Sequence, residues 1–463
     1  MRSLLFNVVL VIPGICAAQT VPQTAAASGY MDRYRELLSL VPVPGRVADV
    51  NHLVLTRDVG QLTLEHGQLY FLSPVGGRTV GVAFRGSGSF AFAPPVPAEQ
   101  VELQRFAGNP TLSDSFTEVI LLFADSTPHE LQALASIRGD APPDLAGQVR
   151  DLVESLRGDN EGAYNDRTIG PLLNGDTTGF FLARIERTHG GAVLFEIDPS
   201  ASEAVQLYRP VNKARWGENW AVVTEFPPQK PGPGSGAWWY RKRLTVPSYR
   251  IDVRLTPTGS ADLDFAASAT LSLKAEEPLG PWLLFSLHHK LLVDSARWAG
   301  GDAAAVFKAK DNDDLWVRAP HRLATGDSLT LTVYYHGDLI DRFLNWFYID
   351  PTAAWYPING QGVNFATFDL TFHSPNWYPL ASVGDRVDSS ETPKVMTTHW
   401  VTRLPTSYAT FNLGLFDNYH VQQADAPPLD VLLSEDAHRE LRRQLALQGA
   451  MIPEQSHMKE NVA

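Results

Sequence analysis

Runs that alternate apolar and polar residues one by one constrain this chain most. Tyr249 to Thr256 reads YRIDVRLT, Ala266 to Lys274 reads AASATLSLK and Ser328 to Tyr335 reads SLTLTVYY. A period of two places successive side chains on opposite faces of a strand, a pattern that a helix cannot bury on one side. Upstream, HLVLTRDVGQLTLEHGQLYFL and TVGVAFRGSGSFAF lie within 50–123, and FFLARIE and AVLFEI within 164–224. Asn174-Gly175 and Gly190-Gly191 are turn candidates in the latter region. Strands recurring roughly every ten to twenty residues, with almost no helical periodicity between them, predict antiparallel sheets. The expected class is mainly β, in two β-rich domains.

Helical signals are few. Met31 to Leu40 is a short candidate. Thr127-Pro128-His129-Glu130 reads as a capping box with proline at the first helical position, predicting a helix to about Ile137. Pro143 to Arg157, closed by Gly158, predicts a second helix, so the first domain carries a small helical insertion. Between Asp430 and Gln448 the period changes: Leu433, His438, Leu441, Leu445 and Leu447 predict a short C-terminal helix starting at Ser434. FPPQKPGPGSG, 226–236, supports neither helix nor ladder and marks the linker. Residues 25–225 are therefore read as one domain and 237–425 as the next, with 426–463 as the beginning of a further unit.

Arg2 followed by the apolar stretch Leu4 to Ile15 and the small residues Cys16-Ala17-Ala18 reads as a signal peptide over 1–18, which implies a periplasmic or extracellular location. The rival readings are a membrane anchor, for which the stretch falls short of the roughly 20 residues a spanning helix needs, and lipidation of Cys16, for which Ile15 is a poor preceding residue. Cys16 is the only cysteine, so the exported chain is expected to have no disulfide and no thiolate ligand. The net charge of −13 with scattered basic residues excludes an electrostatic nucleic-acid footprint. No later segment is apolar enough to span a bilayer.

Motifs for hydrolytic chemistry are missing. Zinc hydrolysis on a helix needs HExxH, because histidines one turn apart share a metal while the glutamate activates water. His129-Glu130 begins that pattern, but Ala133 stands three residues after Glu130. His288-His289, read as neighbours in one strand, are expected to point to opposite faces and so not to share an ion. Gly86-Ser87-Gly88-Ser89-Phe90 lacks the last glycine of a nucleophile elbow and is better read as a hairpin turn. Asp311-Asn312-Asp313-Asp314 lacks the remaining ligands of a calcium loop and reads as a solvated turn. Aromatic residues crowd 343–378, where they suit either a core or a stacking pocket.

From Tyr249 to Tyr419 the succession of segments resembles the N-terminal β-domain of the aminopeptidase N (membrane alanyl aminopeptidase) family of zinc metallopeptidases. YRIDVRLTPTG, ATLSLKA, LLFSLHHKLLVDSARWAG and HRLATGDSLTLTVYYHGDLI follow in the family's order. WYPINGQGVNFATFDL is similar to the family block xFPCFDEPxxKATFDL at Tyr356, Pro357, Ala366, Thr367, Phe368 and Asp369, and PTSYATFNLGLFDNY is similar to its closing strand. The chain departs from the block at Gly360-Gln361-Gly362, which replace Asp-Glu-Pro, and at Phe365, which replaces the lysine.

The resemblance implies a saddle-like antiparallel sandwich for the second domain. It also implies that zinc belongs to a catalytic domain following this one, so no cofactor is expected in this chain, and LDVLLSEDAHRELRRQLALQ is similar to the opening of such a domain. Within the β-domain the family holds a glutamine or glutamate near the substrate's free amine. The corresponding neighbourhood here makes Trp346, Tyr348, Asp350, Trp355 and Gln361 candidates for a substrate pocket, with no catalytic and no metal residue. The implied role is the non-catalytic front of an exported aminopeptidase-like protein, with a peptide as ligand once a catalytic domain is supplied. The alternatives are a stand-alone module binding peptide or glycan and an inactive scaffold for protein contacts.

Overall fold

The computed structural model describes residues 25–447 apart from 135, 138, 158–169, 175–178, 200–202, 212–219, 230–243, 259–261, 309–312, 351–352, 360–363 and 424–428. The signal segment, Cys16, Gly175, Gly360-Gln361-Gly362 and most of the Pro/Gly stretch lie outside the described residues. The first nine strands are β1 (Pro42–Arg57), β2 (Gly60–Leu72), β3 (Gly81–Phe92), β4 (Leu112–Ala124), β5 (Ser136–Ile137), β6 (Phe180–Arg187), β7 (Gly191–Ile197), β8 (Val205–Pro210) and β9 (Trp220–Phe226). They form one antiparallel sheet in the order β5-β1-β2-β3-β4-β6-β7-β8-β9, a meander in which only β5 returns to the far edge.

Helices α1 (Ala25–Leu38), α2 (Pro97–Ala107), α3 (Thr127–Leu131), α4 (Leu145–Arg157) and α5 (Gly170–Asn174) cover this sheet. Tyr34 and Leu37 of α1, Leu145 and Val149 of α4 and Leu172 of α5 pack on one face against Leu72, Ile120 and Leu182. The other face is filled mostly by phenylalanine. Phe90 lies 5.4 Å from Phe195 and Phe92 lies 5.9 Å from Phe226, ring to ring. Strands stand about 4.8 Å apart in a flat sheet, so β3 meets β7 and β9 only because the sheet curls on itself. Helix α2 closes the curl: its Glu99 carboxylate accepts from the Thr224 hydroxyl (2.7 Å) and the Glu225 amide (3.1 Å) on β9.

The segment around Gly86 is not a hairpin turn. It lies inside β3, at a bulge where the register shifts against both neighbouring strands. Glycine is needed there for close approach, since a Cβ on Gly67 of β2 would meet the Arg85 carbonyl oxygen at 2.2 Å and the Gly86 Cα at 2.7 Å. The Gly190-Gly191 turn does join β6 to β7.

Helix α3 also departs from expectation, ending at Leu131. Ser136 and Ile137 pair with Ala48 and Val47 of β1 instead of continuing the helix. The capping role falls to Asp125, which accepts from the Thr127 amide (2.8 Å) and hydroxyl (2.5 Å). Glu130 is drawn away because Arg57, 14% exposed and lying over the Phe181 ring, holds both Glu130 (2.7 Å) and Asp125 (2.6 Å). At such low exposure removal of one partner leaves an uncompensated charge, which makes this cluster worth more than a surface pair.

The remaining strands are β10 (Leu244–Thr258), β11 (Asp262–Ala275), β12 (Trp282–Ser286), β13 (Leu291–Trp298), β14 (Val306–Lys308), β15 (Asp314–Arg318), β16 (Ser328–Gly337), β17 (Asp341–Phe343), β18 (Trp346–Tyr348), β19 (Thr367–Pro375), β20 (Leu380–Ser382), β21 (Asp385–Glu391), β22 (Val395–Val401), β23 (Phe411–Gly414), β24 (Asp417–Val421) and β25 (Leu429–Leu433). Helix α6 (Glu435–Leu447) follows, its first turn closed by the His438 amide donating to the Ser434 carbonyl (3.0 Å). A seven-stranded sheet runs β13-β16-β11-β10-β19-β22-β21, beside a three-stranded sheet β12-β15-β14, a four-stranded sheet β17-β18-β23-β20 and the hairpin β24-β25. The seven-stranded sheet is mixed, because β10 pairs with β19 in parallel. Edge strand β21 is exposed along its whole length, and on edge strand β13 a bulge pushes out Asp294, which meets His336 at 2.9 Å.

The three-stranded sheet is apolar on both sides. Leu283, Phe285, Leu315 and Val317 join the core beneath the seven-stranded sheet. Trp282, Phe307 and Trp316 enter the core beneath α1 and the nine-stranded sheet, where Phe307 meets Tyr34 at 5.4 Å.

The close approach at the bulge yields a stability prediction. Gly67→Ala is expected to lower the unfolding free energy by about 2–3 kcal/mol in urea denaturation. Gly147→Ala, on helix α4 with nothing within 4 Å of the added Cβ, is expected to be neutral or stabilising by up to about 1 kcal/mol. Equal effects of the two substitutions would contradict this packing.

Candidate functional site

Three of the five pocket candidates fall on or just beyond the hairpin β17-β18. Trp346 and Tyr348 are two residues apart on β18 and so share a face; their rings lie 4.6 Å apart with 32° between the planes, both half-buried. The Trp346 indole N–H donates to Asn412 Oδ1 of β23 (2.9 Å), which fixes the ring. Phe347 points the other way, into the core. Asp350, two residues beyond the strand, is exposed. Asn345 at the hairpin tip donates to Asp436 of α6 (3.0 Å), so the C-terminal helix is tied to this edge of the four-stranded sheet.

Trp355 is placed differently. It is 2% exposed, its indole N–H donates to the Ala409 carbonyl (2.8 Å), and the Tyr356, Phe411 and Phe265 rings pack edge-on against it. It is a core residue with no surface to offer a ligand. Gln361 lies outside the described residues. Of the five pocket candidates the structure therefore places Trp346 and Tyr348 on one face of β18 with Asp350 just beyond the strand, and buries Trp355 in the core.

A second group of polar residues was not singled out from the sequence. The outer face of the seven-stranded sheet carries a cross-strand network in which His399 Nε2 meets Asp369 (2.8 Å), Arg250 approaches the same carboxylate (3.3 Å), and His373 Nε2 meets Asp252 (3.1 Å). The Thr397 hydroxyl lies 3.0 Å from His373 Nδ1. Beside this network is an open cavity of about 360 Å³ lined by Ser248, Arg250, Ser272, Thr367, Asp369 and Thr402 among others. Its hydroxyls and its Arg250–Asp369 pair suit a hydrogen-bonding, uncharged ligand. The sequence signal was that outward positions of alternating runs are polar; that Arg250 meets Asp369 and His373 meets Asp252 depends on a pairing about 120 residues apart, while His399 reaches Asp369 from the neighbouring strand 30 residues on.

Two further expectations are corrected. His288 and His289 are not in a strand but in the turn between β12 and β13, and their rings stack at 4.2 Å with 28° between planes rather than facing apart. His289 is held by Asp313, whose carboxylate accepts its backbone amide (2.7 Å) and lies 3.1 Å from its Nδ1. In the acidic stretch taken for a solvated turn, Asp314 is 3% exposed at the start of β15. Among the described residues no three His, Cys, Asp or Glu side chains are arranged to hold a metal ion.

No protein-family model and no curated protein matches the chain. Solved structures similar to it include M1 zinc metallopeptidases. The enzyme from Deinococcus radiodurans is 17% identical over 46% of this chain and 55% of that one, with a TM-score of 0.36. A two-domain M1 zinc metallopeptidase variant bound to L-arginine is 19% identical over 42% of this chain and 47% of its own, with a TM-score of 0.35. A Deinococcus radiodurans variant bound to a Tyr-Ser-Ala substrate reaches 17%, 47%, 52% and 0.37 in the same measures. The match spans about half the length of these structures, and likeness at this level carries no inference about activity. No helix among the described residues is long and apolar enough to cross a membrane.

Histidine environments give a pH prediction. The Asp430 hydrogen bond raises the pKa of His420 above its ordinary value, helped by Gln422, whereas burial lowers that of His288. For His420 the folded value exceeds the unfolded one, so its contribution to the β24-β25 hairpin is complete below about pH 6.5 and is lost as pH rises through the folded pKa. In an NMR titration His420 is expected to protonate first on acidification and His288 later. Asp430→Asn should return His420 toward the ordinary midpoint, and an unmoved midpoint would contradict the pairing.

Proposed function

We propose that this chain is the non-catalytic N-terminal portion of an exported zinc aminopeptidase-like protein of the aminopeptidase N type, whose β-domain shapes a peptide site that a zinc-bearing domain completes. The observation that carries the reading is the half-exposed Trp346–Tyr348 pair on β18 with exposed Asp350 just beyond it. A carboxylate suits the ammonium of a free peptide N-terminus, and adjoining aromatic faces suit the first side chain. It is further supported by the segments bearing the resemblance: Tyr249 of β10, Tyr356 of the following block and Phe368 of β19 pack ring on ring, with centroids 5.0 to 5.6 Å apart.

The cavity on the outer face of the seven-stranded sheet favours a second reading, a module that binds a polar ligand such as a glycan there. The two readings differ in where a ligand perturbs the chain. With a tripeptide carrying a free amine, NMR shifts are expected at the Trp346 indole, with Kd on the order of 1 mM for a half-built site. Asp350→Asn is expected to weaken binding about tenfold, the loss of one charged hydrogen bond, and the N-acetylated peptide should bind no better to the parent than to the variant. Shifts confined to the Ser248–Thr367 cavity would transfer the function to that face. Chelator-sensitive hydrolysis of an aminoacyl-arylamide by this chain alone would overturn the non-catalytic role.

A further inference from the structure

The outer face of the four-stranded sheet carries more than the Trp346–Tyr348 pair. Residues directly opposed across antiparallel strands share a face, and β17 sets Phe343 against Trp346 and Asp341 against Tyr348. From the other side β23 sets Gly414 against Trp346 and Asn412 against Tyr348. A Cβ on Gly414 would meet Phe416 Cζ at 3.0 Å and the Trp346 Cα at 3.2 Å, so the Phe416 ring lies over Gly414, beside the tryptophan. Phe343, Trp346, Tyr348 and Phe416, all half-buried, therefore line one face, bordered by the exposed Asp341.

This combination selects a ligand by charge. Aromatic faces carry negative potential and attract cations, and the planar guanidinium of arginine also stacks on them. A carboxylate at the rim of such a face adds charge-assisted hydrogen bonds to a cation and repels an acidic group. The one cation of the hairpin, Arg342, stands between Asp341 and Phe343 and projects from the opposite face, where it lies over the Phe347 ring at 5.2 Å and its Nε donates to the Leu344 carbonyl (2.7 Å). The net charge of −13 draws cations to the chain as a whole. Tyr348 stands between two carboxylates. Asp341 opposes it across the ladder, a pairing that holds Cβ atoms about 5 Å apart, and Asp350 follows two residues on, within about 7 Å along the chain.

We propose that this face selects a peptide with a basic first residue, arginine above all: the guanidinium lies on the aromatic face and pairs with Asp341, while the peptide's ammonium meets Asp350. Asp341 is then the residue that determines specificity. The inference rests on the peptide reading for the contact at Asp350 only, since Asp341 and the rings hold an arginine side chain whether or not Asp350 takes the amine.

Three ligands separate the contacts: Arg-Ala-Ala, its citrulline analogue, which keeps the shape and loses the charge, and N-acetyl-arginine amide, which keeps the guanidinium and loses the amine. Followed through the Trp346 indole NMR signal of the full chain, Arg-Ala-Ala is expected to bind about tenfold tighter than the citrulline peptide, an advantage that shrinks in high salt. Asp341→Asn, at an exposed position of an edge strand, is expected to reduce the ratio to about twofold, the share left to the rings. It should leave the citrulline affinity unchanged, which also reports an intact aromatic face. Equal binding of the two peptides by the parent, or a ratio that Asp341→Asn leaves intact, overturns the proposal. An Asp341-dependent response to N-acetyl-arginine amide, with no gain from a free amine, keeps the cation site and removes the amine contact at Asp350. An indole signal that none of the three ligands moves overturns both.

Discussion

The three-stranded sheet β12-β15-β14 is the constraint on which the rest of the molecule turns. A sheet this small normally buries one face and wets the other. Here alternate residues serve two cores, Leu283, Phe285, Leu315 and Val317 on one side and Trp282, Phe307 and Trp316 on the other. Either side left in water would expose several large apolar groups, at about 25 cal/mol per Å². Helix α1 is held by the same contact through Tyr34. The nine-stranded and seven-stranded sheets therefore share an inner wall, and the hairpin carrying Trp346 inherits its position from packing that begins well outside it.

Much of this was legible in the alternation of the sequence. Tyr249 to Thr256 and Ser328 to Tyr335 are strands whose inward residues are the apolar ones. What alternation cannot express is which strands meet. The parallel pairing of β10 with β19 joins residues about 120 apart, and it alone brings Arg250 to Asp369 and His373 to Asp252. Local signals failed where a distant partner competed. The Thr127 box was outbid by Arg57, which claims Glu130, and by β1, which takes Ser136 and Ile137 as an extra strand. Glycines 86 and 88 resembled a turn because closeness between strands and tightness within a strand demand the same residue.

The candidate site was legible to a similar degree. Trp346, Tyr348 and Asp350, chosen through resemblance, stand on β18 and just beyond it with part of their surface open, whereas Trp355, chosen by the same reasoning, serves packing. The distinction rests on neighbours far off in sequence: the Ala409 carbonyl accepts from the Trp355 indole and Phe411 covers its ring, while Trp346, held by Asn412 and stacked on Tyr348, stays half-buried. A tryptophan in a loop rich in proline and aromatic residues gives no sign of which fate it meets.

The outermost strand of the seven-stranded sheet has a consequence of another kind. Strand β21 reads DRVDSSE and is open to solvent from Asp385 to Glu391, and its free rim presents an unpaired backbone to any other chain. An incoming strand would have to set its own side chains beside Asp385, Arg386, Asp388 and Glu391 and strip their hydration, which deters lateral growth into fibres. The opposite rim is disrupted by the bulge at Asp294. At high protein concentration such guarded rims let a sheet-rich chain stay dispersed.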